Sequence, residues 1–260
     1  MIIHIHDAMS SIRMRMESGR EPPMMLLRGI LNDAARKDRM TIWAWDGSGA
    51  NDVRRQIYPG YKDRLPTNAQ TYMRLQLVRQ LLAHTNSWQA RLNGFEGDDL
   101  VAALVDHFRP SGLPIEIITR DKDLSALCGG GVTTKAMIPG IPPHQVRLYK
   151  MCVGDKSDTL PGISGFGPKT WDAIEDKAGL EKLLKRSTPF DEQDQNQALA
   201  LGLPKCVVNL LSKQEAIDDM NRQRRVIEPM PMTPEQFNAA LSQGVDNPEA
   251  REAIMEKYLL

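Results

Sequence analysis

Cysteine is scarce in this chain. Cys128, Cys152 and Cys206 are far apart and odd in number among 260 residues. That excludes a disulfide framework and offers no zinc-ligand spacing, so a reducing compartment is expected. Long apolar runs are missing too. No stretch approaches the roughly 20 residues of a membrane span, and Met1–His6 is too short and uncharged for a secretory signal. A cytoplasmic location and no membrane partner follow as expectations. Net charge is absent as well, because 33 basic residues balance 33 acidic ones. Taken alone, that argues against a generic nucleic-acid binder. Repeats and low-complexity tracts are also lacking.

What remains is ordinary globular composition, 41% hydrophobic and 25% charged, enough for one large domain or a domain with an appendage. The charge is unevenly distributed. Between residues 51 and 91, seven basic residues face only Asp52 and Asp63, so an acidic centre lies beside a basic flank that suits phosphates. Ile2–His6 and Met40–Trp45 read as buried strands, ending at Asp7 and Asp46. His4 and His6 share one strand face, where packing is favoured over metal binding. Residues 23–37 and Thr67–Leu82 have helical spacing, and Leu113–Ile118 and Val132–Lys135 read as further strands. Alternating strands and helices imply a mostly parallel sheet covered on both faces, an α/β/α arrangement. Functional groups in such sheets gather beyond the carboxyl ends of the strands. Asp7, Asp46 and Asp121 each fall at such an end.

The densest acidic stretch is Gly94-Phe95-Glu96-Gly97-Asp98-Asp99, directly before an apolar helix. Alone it could be a helix cap. Its company is Asp7, Asp46, Asp121, Asp123, Asp155 and Asp158. Nine carboxylates cannot converge ionised without cations, because like charges raise one another's pKa. Bound divalent ions reverse that penalty. An all-oxygen donor set favours magnesium, with manganese able to substitute, over zinc. Two such ions roughly 4 Å apart can act on both oxygens of a phosphodiester. Lys62 or Arg64 could neutralise the developing phosphoryl charge. Arg54, Arg55, Tyr58, Tyr61, Lys62 and Arg64 interleave cations with rings, a pattern suited to nucleic acid. Gly162, Gly165 and Gly167 allow backbone amides to approach a phosphate, and Lys169 and Thr170 open the following helix. Residues 176–260 read as helical with no chemical motif.

These blocks, in this order, resemble the 5′-nucleases of the flap-endonuclease superfamily: stand-alone phage-type 5′–3′ exonucleases and the 5′-nuclease domain of bacterial DNA polymerase I. The resemblance covers about residues 2–175. It implies a PIN-like three-layer core with a helix-three-turn-helix, divided as a catalytic core at 1–145 and a DNA-binding and helical part at 146–260. A small basic arch is implied at about 51–93. It also implies hydrolysis of DNA at 5′ ends, nicks and flap junctions by a monomer in replication, repair or primer removal, with an RNA–DNA hybrid as a further substrate. Asp7, Asp46, Glu96, Asp98, Asp99 and Asp121 match the first metal site; Asp123, Asp155 and Asp158 match the second. Lys62, with Arg64, matches the basic group at the scissile phosphate, and the carbonyls of Gly162–Gly167 match a site for a monovalent cation such as K+. Gly97 departs from the alanine common in the family. A non-catalytic relative would have broken acid blocks, and none of the nine positions is broken. A PIN-like RNase would have no use for the glycine-rich Leu160–Thr170 element.

Overall fold

The computed structural model describes residues 1–17, 22–63 and 69–259. Its first elements are β1 (Ile2–Asp7), α1 (Ala8–Glu17), α2 (Pro23–Ala34), β2 (Arg39–Trp45), α3 (Asp52–Ile57), α4 (Ala69–Leu82), β3 (Trp88–Arg91) and α5 (Gly97–Phe108). Then come β4 (Ile115–Ile118), β5 (Val132–Thr134), α6 (Val146–Val153), α7 (Pro168–Ala173), α8 (Lys177–Leu184) and α9 (Glu192–Ala200). The chain closes with α10 (Lys205–Leu211), α11 (Gln214–Ile227), α12 (Pro234–Ala240), β6 (Leu241–Gln243) and α13 (Pro248–Leu259). No helix among the described residues is long and apolar enough to cross a membrane.

The chain divides into two compact units: Met1–Ala50 with Leu65–Ile138 and Met230–Leu260, and Asn51–Arg64 with Pro139–Pro229. This differs from a break near residue 145. The basic segment 51–64 groups with the second unit, and residues 230–260 return to the first because β6 pairs antiparallel with β3.

The first unit holds a sheet of order β5-β4-β1-β2-β3-β6, parallel except for β6. Alternation along each strand sorts its side chains. Ile3 and Ile5 of β1 and Ile42 and Ala44 of β2 face Leu100, Val101 and Leu104 of α5. Trp43 and Trp45 join the opposite cluster with Ile12, Leu26, Ile30, Leu75, Val78 and Leu81 of α1, α2 and α4. The strand order explains this split. From β1 through β3 the chain adds strands in one direction; from β3 to β4 it jumps back past β1. Right-handed crossovers place helices on opposite faces when the direction reverses. So α5 crosses on the face opposite α1, α2 and α4, starting at the carboxyl edge, and the reversal falls beside β1, where ligands gather in such sheets.

His4 and His6 pack, as the strand reading has it. The His6 ring stacks on Trp43 at 3.9 Å between centroids, and burial drives its pKa down to about 3, with His4 and the nearby arginines adding to the effect. His4 Nε2 lies 3.3 Å from Glu116.

The expectation of an arch over 51–93 needs correcting. Residues 69–91 are core structure: α4 buries Leu75, Val78, Leu81 and Leu82, and β3 is an interior strand between β2 and β6. Four residues with polar Gln89 and terminal Arg91 carry too little alternation to read as a strand. The tail is helical except for β6, a three-residue edge strand. Leu81 is fully buried, so Leu81→Ala should lower unfolding free energy by about 2–5 kcal/mol in urea titrations. A helix standing off as an arch would lose far less.

Candidate metal centre

Three adjacent strands of the first unit, β4, β1 and β2, deliver acids at their carboxyl ends. Asp7 closes β1, Asp46 follows β2, and Asp121 follows β4 by three residues. Asp7 is 4% exposed. Its Oδ1 accepts from Ser10 N at 3.1 Å and its Oδ2 from Thr119 Oγ1 at 2.7 Å. Burial pushes the Asp7 carboxyl up to about 6 against these two donors, and the charges of Asp121 and Asp46 push the same way. Asp121 forms an Asx turn: its Oδ1 accepts from Asp123 N at 2.9 Å, while its own N–H donates to Thr119 Oγ1. Thr119 and Ser10, to which the sequence reading gave no role, are thus the brace between β1 and β4.

The acidic stretch before α5 proves to be both a cap and a cluster. Glu96 is the N-cap and forms a reciprocal capping box with Asp99; Asp99 Oδ2 accepts from Glu96 N at 3.0 Å. Asp99 is fully buried, and its Oδ1 accepts from Met230 N at 2.8 Å. Both its oxygens are therefore engaged by backbone donors, which gives Asp99 a structural task whatever else it touches. Asp98 is half-buried on the first turn. Asp46 Oδ1 accepts from Gly97 N at 2.7 Å. A Cβ on Gly97 would lie 3.2 Å from that same oxygen, so glycine permits the close approach. Asp7, Asp46, Asp121 and the start of α5 are drawn together, with Asp123 tied to Asp121.

The second unit carries the other acids. Asp155 and Leu160 exchange backbone hydrogen bonds at 2.8 Å, closing a tight loop that holds Asp155 and Asp158. Buried Lys150 sits between them, its Nζ 2.7 Å from Asp155 Oδ2 and 3.2 Å from Asp158 Oδ2. Burial works to raise the Asp155 carboxyl, but Lys150 and Ser157 outweigh it and hold it below the usual range. Lys150 was missed in the sequence; its only signal was a lone cation five residues before Asp155 on an amphipathic helix. Lys62 adopts a left-handed backbone with φ 48°, unusual for a residue with a side chain. Its N–H donates to Asp158 O at 3.0 Å, Arg55 Nη2 donates to its carbonyl at 3.1 Å, and its Nζ lies 3.8 Å from Asp158 Oδ1.

Two expected nucleic-acid contacts turn inward. Arg54 is 3% exposed, and its Nε donates to Val226 O at 3.0 Å. Tyr61 is buried against Leu160 and Val226. Both pack the unit instead of facing solvent, because the guanidinium satisfies carbonyls at the end of α11. Tyr58 is half-buried, with Arg55 and Lys169 exposed and Thr170 half-buried. Arg64 lies outside the described residues. Gly162 and Gly165 have φ of 71° and 84°, and Gly167 is the N-cap of α7. The Gly162 carbonyl, expected to face a cation, accepts from Gln223 Nε2 at 3.3 Å.

An all-carboxylate donor set, with the Asp7 carboxyl raised by burial, fits a divalent cation. Residues 21–149 match the 5′–3′ exonuclease N-terminal, resolvase-like domain. The chain carries a 5′–3′ exonuclease N-terminal domain. It is 32% identical over 160 residues to a 5′–3′ exonuclease of Aquifex aeolicus, covering 55% of each chain. It is 30% identical over 197 residues to DNA polymerase I of Caldicellulosiruptor bescii, covering 68% of this chain and 21% of the polymerase. The chain thus spans about half the length of the one and a fifth of the other. Its fold matches a bacteriophage T5 flap endonuclease solved with DNA and metal ions, at 16% identity and TM-score 0.54, covering 87% of this chain and 99% of that one.

Within this exonuclease domain Gly97→Ala is a sharp test. Alanine gains up to roughly 1 kcal/mol of helix propensity but crowds Asp46. Melting temperature should hold or rise, while Mn2+ affinity by calorimetry falls about tenfold, as for other groups that orient a ligand. Unchanged affinity would remove Asp46 from the centre.

Proposed function

We propose that this chain is a metal-dependent 5′ nuclease that hydrolyses DNA phosphodiesters at 5′ ends, nicks and 5′ flap junctions. The observation that carries the reading is the burial of Asp7 between acids at the ends of three adjacent parallel strands. In this reading Asp7, Asp46, Glu96, Asp98, Asp99 and Asp121 serve the first ion, Asp99 chiefly by fixing Glu96. Asp123, Asp155 and Asp158 serve the second, as the order of the acid blocks suggests. Mg2+ is the expected ion and Mn2+ its substitute, given hard oxygen donors. Such ions supply an activated water and charge stabilisation at both oxygens of the scissile phosphodiester.

The chain's own groups supply the rest. Ser10, Thr119 and the Gly97 amide orient carboxylates without neutralising them. Lys62, held in a fixed left-handed backbone, offers its ammonium to the phosphoryl oxygens as charge develops, with Arg64 beside it in sequence. The α6–α7 pair with its glycine turn suits a duplex backbone, since amides in such a turn meet phosphates and read no bases. Arg55, Tyr58, Lys169 and Thr170 are the contacts proposed around it. A K+ ion would rest on carbonyls of the Gly162–Gly167 turn other than that of Gly162. Because backbone is gripped and bases are not read, an RNA–DNA hybrid end falls within the same chemistry, and a monomer suffices. Relatives that are stand-alone exonucleases or polymerase parts, and a phage structural neighbour, suit a role in replication, repair or primer removal.

Asp121→Asn and Asp155→Asn should each abolish cleavage of a 5′-labelled flap in magnesium while leaving binding in calcium largely intact. Full activity in either variant would sink the metal assignment. Lys62→Ala should slow single-turnover cleavage by about 10²-fold or more with little change in binding; a pure binding defect would recast Lys62 as a positioning group.

A further inference from the structure

The turn between α6 and α7 is not held by its own backbone alone. Gly162 sits in a left-handed conformation at φ 71° and is buried. Both of its peptide groups are met by one side chain 61 residues away: Gly162 N donates to Gln223 Oε1 at 2.9 Å, and Gln223 Nε2 donates to Gly162 O at 3.3 Å. A carboxamide used this way imitates a strand neighbour, pairing with a donor and an acceptor of the same residue. Gln223 is 1% exposed, the one polar member of the buried stripe of α11 that also holds Ile217, Met220 and Val226. A buried amide of this kind is retained only where it is fully hydrogen-bonded. Its second N–H is also engaged, donating to Asp219 Oδ2 at 2.7 Å. A carboxylate only accepts, so Asp219 requires the NH2 end of the amide on its side and thereby fixes which end faces Gly162 N and which faces Gly162 O.

Replacing Gly162 by any residue with a side chain is blocked as well. A Cβ there would come within 2.4 Å of Gly154 N, so the turn is pressed against the end of α6 from one side and pinned by Gln223 from the other. Pro161, Gly162, Ile163 and Ser164 line an open hollow of about 490 Å³ together with Lys213 and Asp219. The Ile163 and Phe166 amides donate to Cys152 O and Ile163 O, so the amides of the turn left to meet a phosphate are those of Ser164, Gly165 and Gly167.

We infer that Gln223, oriented by Asp219, is a positioning residue for duplex binding: it clamps the Gly162 peptide so that the following turn is pre-organised for phosphate. This rests on the reading of the chain as a 5′ nuclease that grips duplex DNA through that turn. A preformed turn binds without first losing the freedom of its backbone, which is where affinity is gained. No contact between Gln223 and DNA is required.

The test uses the full chain on a 5′-labelled nicked duplex. If the wild type neither binds nor cuts it, the nuclease reading fails, and the clamp is then decided by hydrogen exchange at Gly162 and Ile163 alone. Given wild-type activity, Gln223→Met, which keeps length and apolar volume, should raise KM and the Kd in calcium about tenfold and leave kcat within about twofold. It should also flatten the salt dependence of binding, since phosphate contacts set that slope. Exchange of the Gly162 and Ile163 amides should accelerate. Asp219→Ala, on a more exposed side chain, should shift the same quantities in the same direction by less, and serves if Gln223→Met does not fold. A folded variant with a lowered melting temperature but unchanged Kd, salt slope and amide exchange would overturn the inference. So would a fall in kcat with KM preserved.

Discussion

Mutual repulsion among carboxylates held out of water is the constraint on which the rest of this structure depends. Asp7, Glu96 and Asp99 are all buried, and burial raises the Asp7 carboxyl above its ordinary range. The first unit answers with backbone donors. Ser10, Gly97, Glu96, Met230 and Asp123 each aim an N–H at one of the acids, and such charge-assisted bonds fix direction while leaving the negative charge in place. The sheet makes this possible, because a reversal of strand order beside β1 brings three strand ends and one helix start to the same edge. The second unit answers differently, with the buried ammonium of Lys150 between Asp155 and Asp158. The two groups of acids are therefore held on different terms, one by backbone donors and the other by a buried lysine.

Much of this was legible in the sequence because the signals are local. Apolar runs ending in Asp7 and Asp46, the Glu96–Asp99 block and the Asp121–Asp123 pair each declare themselves within a few residues. The helix from Gly97 to Phe108 follows from a capping pattern before an apolar run. Partners distant in sequence were illegible. Arg54 looks like a surface cation in a basic loop, and its burial depends on carbonyls about 170 residues onward. Asp99 looks like a ligand, and its engagement by Met230 N depends on the return of the tail. Strands β3 and β6 escaped because they are four and three residues long, too short for a period-two pattern to stand out. Lys150 and Gln223 sit on helices whose sequence alone gives no reason to single them out.

The division into units sharpens what the basic segment is for. Read linearly, residues 51–63 lead from a strand to a helix of the core. In the structure they belong with α6–α11, where Lys62 shares a hydrogen bond and an ion pair with Asp158. Arg54 and Tyr61 anchor that segment from inside, and Arg55 braces it from outside by its bonds to the Tyr61 and Lys62 carbonyls. A lysine in a left-handed conformation is costly by roughly 1–2 kcal/mol, and it persists here because its own N–H and C=O are both spoken for.

The return of residues 230–260 to the first unit has a consequence for synthesis. Chains fold as they leave the ribosome, amino-terminal parts first. This sheet cannot complete its β3 edge until Leu241–Gln243 has been made, after every helix of the second unit has emerged. Asp99 likewise lacks one of its two backbone donors until Met230 arrives. The acid cluster is thus assembled in its final form late in translation, so a nascent chain would carry the complete set of acids before it carries a finished site.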